Sequence, residues 1–279
     1  MIFSIHTSKV KEEYIMSKTV VITGGAMGQG LSHAVAFAKL NYNVVIGDLF
    51  SPDDSRMQAA VKQIEEAGGK GLAVTCDVTK EDQVVDMFAK AAKEFGTIDV
   101  VISNAGIMTF GKTWELDEEK VWKTIDINLM GTWRVNKEAA KYMMAQKSGR
   151  IINISSTAGL KGTPTLGHYT MSKFGVIGLT KTLAKELAKY GITVNVICPT
   201  MVRTPMTERP EFISYINGMK GTNFKTFEEM NEALCKSRAM GVAFIEPQDV
   251  SNYVVWVATS DEAKLITGAS LALDAGSML

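Results

Sequence analysis

Between Thr19 and Ala38 three pieces follow one another without a gap. They are a short β-branched run (Thr19 to Thr23), a glycine-rich turn (Gly24-Gly25-Ala26-Met27-Gly28-Gln29-Gly30) and a helical pattern with Leu31, Ala34, Val35 and Ala38 on one face. A short, uninterrupted apolar run bounded by turn residues reads as a buried strand. The glycines permit a tight turn and let the backbone approach a pyrophosphate. The helix that follows presents free N–H groups and the positive end of its dipole to that anion. A glycine motif in this strand–turn–helix setting is far more informative than the same letters elsewhere.

The unit repeats. Asn43 to Gly47 is a second strand, ending at Asp48, and Ser55 to Ala67 a helix stopped by Gly68-Gly69. Gly71 to Cys76 is a third strand, leading into Asp77-Val78. Thr79 is placed to cap the next helix, with Asp82 at the capping-box position, and that helix runs to Phe95. Ile98 to Ser103 is a fourth strand, followed by Asn104-Ala105-Gly106. A long helix lies within Asp117 to Gln146, marked by Val121, Ile125, Leu129 and Trp133. Ile151 to Ser156, Ile192 to Cys198 (broken by Pro199) and Leu271 to Leu273 complete the strands, and Pro247 starts the last helix. This order predicts the α/β class: a single Rossmann-type, doubly wound parallel sheet of about seven strands with helices on both faces, in one domain over 17–279.

Ligands of such sheets sit outside the carboxyl ends of the strands, where Gly24, Asp48, Asp77 and Asn104 all fall. Asp48 comes twenty-four residues after Gly24, near the roughly twenty expected of an acid that binds the ribose hydroxyls of NAD. A carboxylate there repels the extra phosphate of NADP. No Arg or Lys follows at Leu49 or Phe50, and none lies in the glycine turn.

Tyr169-Thr170-Met171-Ser172-Lys173 opens the helical pattern that runs to Lys189. Four residues make about one turn, so Tyr169 and Lys173 share a face. A phenol is a poor proton donor or acceptor at neutral pH. An ammonium one turn away is expected to lower its pKa and let it exchange a proton with an alcohol or ketone. Residues 201–245 break the alternation and carry Phe212, Tyr215, Met219, Phe224, Phe227 and Met230. Soft apolar side chains just beyond the sheet's carboxyl edge suit a pocket wall or lid.

Composition narrows the function classes. The 279 residues carry 30 basic and 30 acidic side chains, so no nucleic acid or anionic membrane is expected as partner. No stretch reaches the length of a membrane span. Cys76, Cys198 and Cys235 form no C-x-x-C, and His6, His33 and His168 no ligand cluster, so no metal is expected and a reducing cytoplasm is the natural compartment. Residues 1–16 read as a disordered, dispensable leader, with Met16 an alternative start. The apolar run Met1 to Ile5 is too short for a signal peptide.

The chain resembles the short-chain dehydrogenase/reductase family from Lys18 to Leu279. The matching pieces are T-G-G-A-M-G-Q-G at 23–30, C-D-V at 76–78, N-A-G at 104–106, Asn128, I-N-I-S-S at 152–156, Y-T-M-S-K at 169–173 and I-T-G at 266–268. The resemblance implies that Tyr169 is the general acid/base. Lys173 would lower its pKa and bind the nicotinamide ribose. Ser156 would hold the substrate oxygen, with Ser155 facing the other way. Asn128 would hold a water that links Lys173 to solvent. The cofactor would contact Gly24, Met27, Gly28, Gly30, Asp48, Asp77, Val78, Asn104, Ala105, Gly106, Tyr169, Lys173, Pro199, Val202 and Thr204. Asn104 would also tie the central strands together.

Two features depart from the pattern. Pro199 is followed by Thr200 where the family usually has glycine. The stretches 28–34 and 159–169 look closest to the carveol-dehydrogenase-like members, yet the step from Asp48 to Ser55 lacks their insertion, so NAD is expected to exchange freely. The implied reaction is NAD-dependent interconversion of a secondary alcohol and a ketone on a bulky alicyclic substrate: a hydroxysteroid, such as a bile acid, or a terpenoid. The alternatives are a 3-oxoacyl carrier-protein reductase and a non-catalytic NAD(H)-sensing module. The family analogy adds a homo-oligomer, a tetramer built on paired long helices and the C-terminal strand.

Overall fold

The computed structural model describes residues 17–279, and the leader expected over 1–16 lies outside them. Seven strands form one sheet: β1 (Thr19–Thr23), β2 (Asn43–Asp48), β3 (Lys70–Thr75), β4 (Val100–Ser103), β5 (Gly149–Ile154), β6 (Ile192–Pro199) and β7 (Ser270–Leu273). The helices between them are α1 (Gly28–Ala38), α2 (Ser55–Glu66), α3 (Glu81–Phe95), α4 (Glu118–Ile125), α5 (Gly131–Gln146), α6 (Gly167–Leu187), α7 (Pro205–Glu208), α8 (Pro210–Lys220), α9 (Phe227–Cys235) and α10 (Pro247–Thr259). The order is β3-β2-β1-β4-β5-β6-β7, and every neighbouring pair is parallel. This is the doubly wound α/β architecture that the alternation predicts. The order reverses between β1 and β4, so the carboxyl ends of those strands flank a crevice.

Strand alternation builds both layers. In β1, Val20 and Ile22 face one side and Val21 the other. Val20, Ile22, Val44 and Ile46 pack with Phe37 of α1, Met57 of α2 and Val250 and Val254 of α10. Val21, Val45 and Val101 pack with Met87 and Phe88 of α3 and Val135 and Met143 of α5. All of these side chains are buried, each contributing about 1.5–3 kcal/mol relative to exposure. At the start of α1 a Cβ on Gly30 would overlap the carbonyl oxygen of Gly24, so only glycine lets the helix settle this close to β1.

Three local features differ from the sequence reading. The helix over 117–146 is interrupted by a π-helical turn at Asp126–Met130, between α4 and α5. Thr79 does not cap α3: the N-cap is Lys80, with no side-chain cap bond. Instead the Thr79 amide and hydroxyl both donate to Asp77 Oδ1, at 2.9 and 2.8 Å. A carboxylate two residues back is the stronger acceptor and captures the threonine in a turn of its own. Finally, Thr200 has no positive φ, so the missing glycine is not required there. Its amide donates to Leu273 O (3.0 Å) and its hydroxyl to Ser277 Oγ (3.0 Å), which fastens the end of β6 to the C-terminal segment.

The 201–245 excursion contains α7, α8 and α9. Its ends are pinned by a parallel bridge between Val202 and Ile245. It builds a separate apolar cluster of Phe212, Ile216, Phe227, Met230, Leu234 and Phe244, which also takes in Met108 and Leu166 from neighbouring loops. Among the described residues no helix is long and apolar enough to cross a membrane.

Candidate active site

The end of β5 and the first turns of α6 bring Ser156, Tyr169 and Lys173 together. Ser156 is extended (φ −167°) and caps a short 3-10 turn, its Oγ accepting from Ala158 N at 3.1 Å. The same hydroxyl lies close enough to the Tyr169 side chain to favour its ionised form. Lys173 is buried and donates from Nζ to Ile154 O at 2.9 Å. On the other side of the strand end, Ser155 Oγ donates to the main-chain oxygen of Lys173 at 2.9 Å. Neighbouring residues of one strand thus grip the same helix turn from two directions.

The charges differ from the sequence expectation. Burial pushes the Tyr169 phenol up to about 12, and the Ser156 hydroxyl only partly opposes this. Burial also pushes the Lys173 ammonium down to about 8. The Lys173 Nζ lies 5.6 Å from the centre of the Tyr169 ring. At that separation the loss of water outweighs the attraction between ammonium and phenolate. The pair as folded therefore holds a neutral phenol beside an easily deprotonated amine.

Asn128 sits in the π turn and is fully buried. Its Oδ1 accepts from Ile107 N (2.8 Å) and its Nδ2 donates to Ile107 O (3.0 Å). Nδ2 also donates to Ser172 Oγ (3.1 Å), which in turn donates to Tyr169 O at 2.7 Å. One amide thereby joins the loop leaving β4 to the helix carrying Tyr169. The extra residue of a π turn re-aims a side chain in this way and is common at functional sites. Ser172 and the Ile107 backbone were not singled out from sequence. Neither has a recognisable signal, because the contact spans elements far apart in the chain.

A groove of ≈ 1120 Å³ occupies the crevice between β1 and β4. Gly24, Met27, Gly28, Asp48, Asp77, Val78, Asn104, Ala105, Gly106 and Thr204 line it. Gly30, Pro199 and Val202, expected at the cofactor, are buried behind that wall. The α1 N-terminus opens onto the groove at Met27 and has no side-chain cap, which leaves its amides for an anion. Gly28 has φ +58°, a conformation that favours glycine. Asp48 Oδ2 accepts from Ala26 N (3.0 Å) and Oδ1 from Leu49 N (2.8 Å), so the carboxylate is fixed at the end of β2. Asn104 Nδ2 donates to Thr23 O (2.9 Å) and Gly24 O (3.2 Å), joining the ends of β4 and β1. An uncapped helix start, an open glycine backbone and a fixed acid at the far strand fit the pyrophosphate and ribose of a dinucleotide.

Tyr169 also packs against the apolar cluster of the 201–245 excursion. There Phe110 stacks on Tyr215, with ring centres 4.3 Å apart, and Phe227 meets Phe244 at 4.8 Å. Tyr169 thus adjoins the apolar cluster that these rings belong to. Phe110 and Tyr215 are 105 positions apart in the chain, and no local pattern predicts their stack. Among the described residues no group of three or more His, Cys, Asp and Glu side chains is placed to hold a metal ion.

The sequence profile described as short chain dehydrogenase matches residues 18–211. The 3-oxoacyl-[acyl-carrier-protein] reductase of Staphylococcus epidermidis is 34% identical over 261 residues, which cover 94% of this chain and 99% of that protein. Among solved structures, carveol dehydrogenase from Mycobacterium avium in complex with NAD superposes with a TM-score of 0.88 at 27% identity, covering 95% of this chain and 98% of that one. A variant of the actinorhodin polyketide ketoreductase with NADPH superposes with a TM-score of 0.85 at 30% identity, covering 93% and 97%.

Proposed function

The chain belongs to the short-chain dehydrogenase/reductase family, and from that premise we propose that it interconverts a secondary alcohol and a ketone, with NAD as the hydride carrier and a bulky alicyclic compound as substrate. One observation carries the reading: Tyr169, near the Ser156 hydroxyl and followed one turn later by the buried Lys173, packs against the apolar cluster of the 201–245 excursion.

The groove lined by Gly24, Gly28, Asp48, Asp77 and Asn104 would hold the dinucleotide. Bound there, NAD would supply a hydride acceptor and a positively charged ring. The protein's own part is proton handling and positioning. Tyr169 exchanges a proton with the substrate oxygen, Ser156 holds that oxygen by a hydrogen bond, and Lys173 stabilises the phenolate. Because burial holds the free phenol near 12, Tyr169 becomes a base only when additional positive charge stands beside it.

NAD rather than NADP is supported by the fixed carboxylate of Asp48. The alicyclic substrate is supported by the Phe110–Tyr215 stack and by the fold shared with a carveol dehydrogenase. A second reading, reduction of a 3-oxoacyl thioester, is favoured by the 34% identity to an enzyme of that activity. The deciding experiment is a panel of hydroxysteroids, cyclic terpene alcohols and a 3-oxoacyl thioester, each assayed with both cofactors. Turnover of the alicyclic alcohols with NAD supports the first reading. Turnover of the thioester alone, with NADPH, overturns it in favour of the second.

We also propose that copies of the chain associate through α4, α5 and α6. Trp122, Trp133, Met171 and Phe174 remain exposed on these adjacent helices.

A further inference from the structure

A second cavity of ≈ 420 Å³ adjoins the dinucleotide groove, sharing Ile107, Glu119 and Lys123 with it. Its other charged linings are Asp117, Lys120 and Arg209. The cations are unusual in how they are held. Arg209 Nη2 donates to the main-chain oxygen of Met108, and Lys120 Nζ donates to Phe110 O at 2.7 Å. A carbonyl satisfies a donor but does not neutralise a charge. Among the described residues no carboxylate lies within ion-pair distance of Arg209, Lys120 or Lys123. Arg209 Nε is buried and has no hydrogen-bond partner. The two acids of the cavity, Asp117 and Glu119, are exposed. The same guanidinium lies 5.8 Å from the centre of the Phe110 ring, the ring that stacks on Tyr215. A fixed cation without an ion-pair partner therefore borders the Phe110–Tyr215 stack, part of the apolar cluster against which Tyr169 packs.

We infer that Arg209 receives a carboxylate carried by the substrate, so that the preferred alicyclic alcohol is an amphipathic acid. This rests on the alcohol–ketone reading and narrows its substrate class. A guanidinium meets a carboxylate with charge-assisted hydrogen bonds, and Nη1, which is neither buried nor bonded among the described residues, is the donor left for it. Lys123, exposed at the rim, adds attraction at longer range.

The test is calorimetric titration of the full-length protein with NADH present, comparing cholate with its uncharged methyl ester. The wild type is expected to bind the acid about tenfold to a hundredfold more tightly than the ester, the range of one charge-assisted interaction. That preference is expected to shrink as salt is added. Arg209→Gln is expected to abolish most of it and Arg209→Lys to restore part. Thermal unfolding of both variants checks that the excursion remains folded. Equal affinity for acid and ester in the wild type, failure to bind either, or a preference that survives Arg209→Gln overturns the assignment. Oxidation of the methyl ester with NAD is scored separately. It needs no anion site, so its absence counts against the redox reading and not against Arg209.

Discussion

The Nζ of Lys173 lies 5.6 Å from the ring centre of Tyr169 and gives its hydrogen bond to Ile154 O, not to the phenol. Both side chains are therefore held mainly by the end of β5, and each loses water without gaining a counter-charge. The folded lysine titrates near 8 against an ordinary value of 10.5. Between those values the unfolded chain binds more protons than the folded one, so stability rises with pH. The contribution is complete above 10.5 and is lost as pH falls through about 8. Tyr169 acts oppositely, but only between 10 and about 12. Chemical denaturation at pH 7 and pH 10 should show wild type gaining up to about 2–3 kcal/mol relative to Lys173→Met over that interval. Parallel pH profiles for the two proteins would falsify the account of Lys173.

Tyr169→Phe removes the exchangeable proton and keeps the ring against the apolar cluster. Loss of positioned acid–base catalysis is expected to lower kcat by about 10²–10⁴-fold. Binding of NADH should be little changed, since the dinucleotide groove is built from other residues. Retention of most of the turnover would remove Tyr169 from the mechanism.

Asn128→Ala leaves both the amide and the carbonyl of Ile107 without their partner, and takes from Ser172 one of its two hydrogen bonds. Each orphaned buried group costs about 1–3 kcal/mol. Urea denaturation should register a loss of several kcal/mol, and turnover should fall because Tyr169 is joined to Asn128 through Ser172. Asn128→Asp keeps the acceptor for Ile107 N but not the donors, so it should lie between. A fully stable Asn128→Ala protein would show that the π turn holds without its amide.

The strands were legible because each is a β-branched run stopped by turn residues, and seven such runs separated by helical patterns admit few topologies. The grouping of the candidate side chains was legible because Tyr169 and Lys173 are local to one helix turn and the glycine turn is local to one strand–helix junction. What escaped is non-local or competitive. Thr79 is a good capping residue, but Asp77 two positions earlier is a better acceptor, and propensity alone does not rank the two. The direction of the Tyr169 shift depends on how much water the excursion and β5 exclude, a quantity set by residues far away in sequence. Arg209 carries no motif, and its meaning arises only when α8 brings it to the loop after β4.

Association through α4–α6 predicts a concentration-stable oligomer. Phe174, 47% exposed, and Met171, 55% exposed, lie on α6 without cover in the single chain. Replacing Phe174 with Asp puts an unpaired charge into any interface formed there, a change that costs several kcal/mol. Light scattering coupled to gel filtration should show the wild type as an oligomer and Phe174→Asp as a smaller species. A wild type that elutes as a monomer at micromolar concentration would sink the proposal.

The proposed preference for NAD is testable at two acids. The carboxylate of Asp48 faces the groove and repels a ribose phosphate. The neighbouring cation that could instead attract one, Arg56, is occupied: its Nε and Nη2 bind the Asp54 carboxylate at 2.8 and 2.6 Å, and its guanidinium lies 3.4 Å above the Phe50 ring. Asp48→Asn alone should therefore relax discrimination by removing the repulsion. Adding Asp54→Asn should do more, since asparagine still caps α2 but no longer neutralises Arg56, which is then free to pair with the phosphate. The ratio of kcat/KM for NADP over NAD is expected to rise about tenfold in the single variant, worth ~1.4 kcal/mol. In the double variant it should rise by at least about another tenfold, the value of one charge-assisted contact. If the double variant behaves as the single one, Arg56 stays on Phe50 and takes no part in cofactor choice. If neither variant moves the ratio, Asp48 serves only to hold the amides of Ala26 and Leu49, and the preference lies elsewhere in the groove.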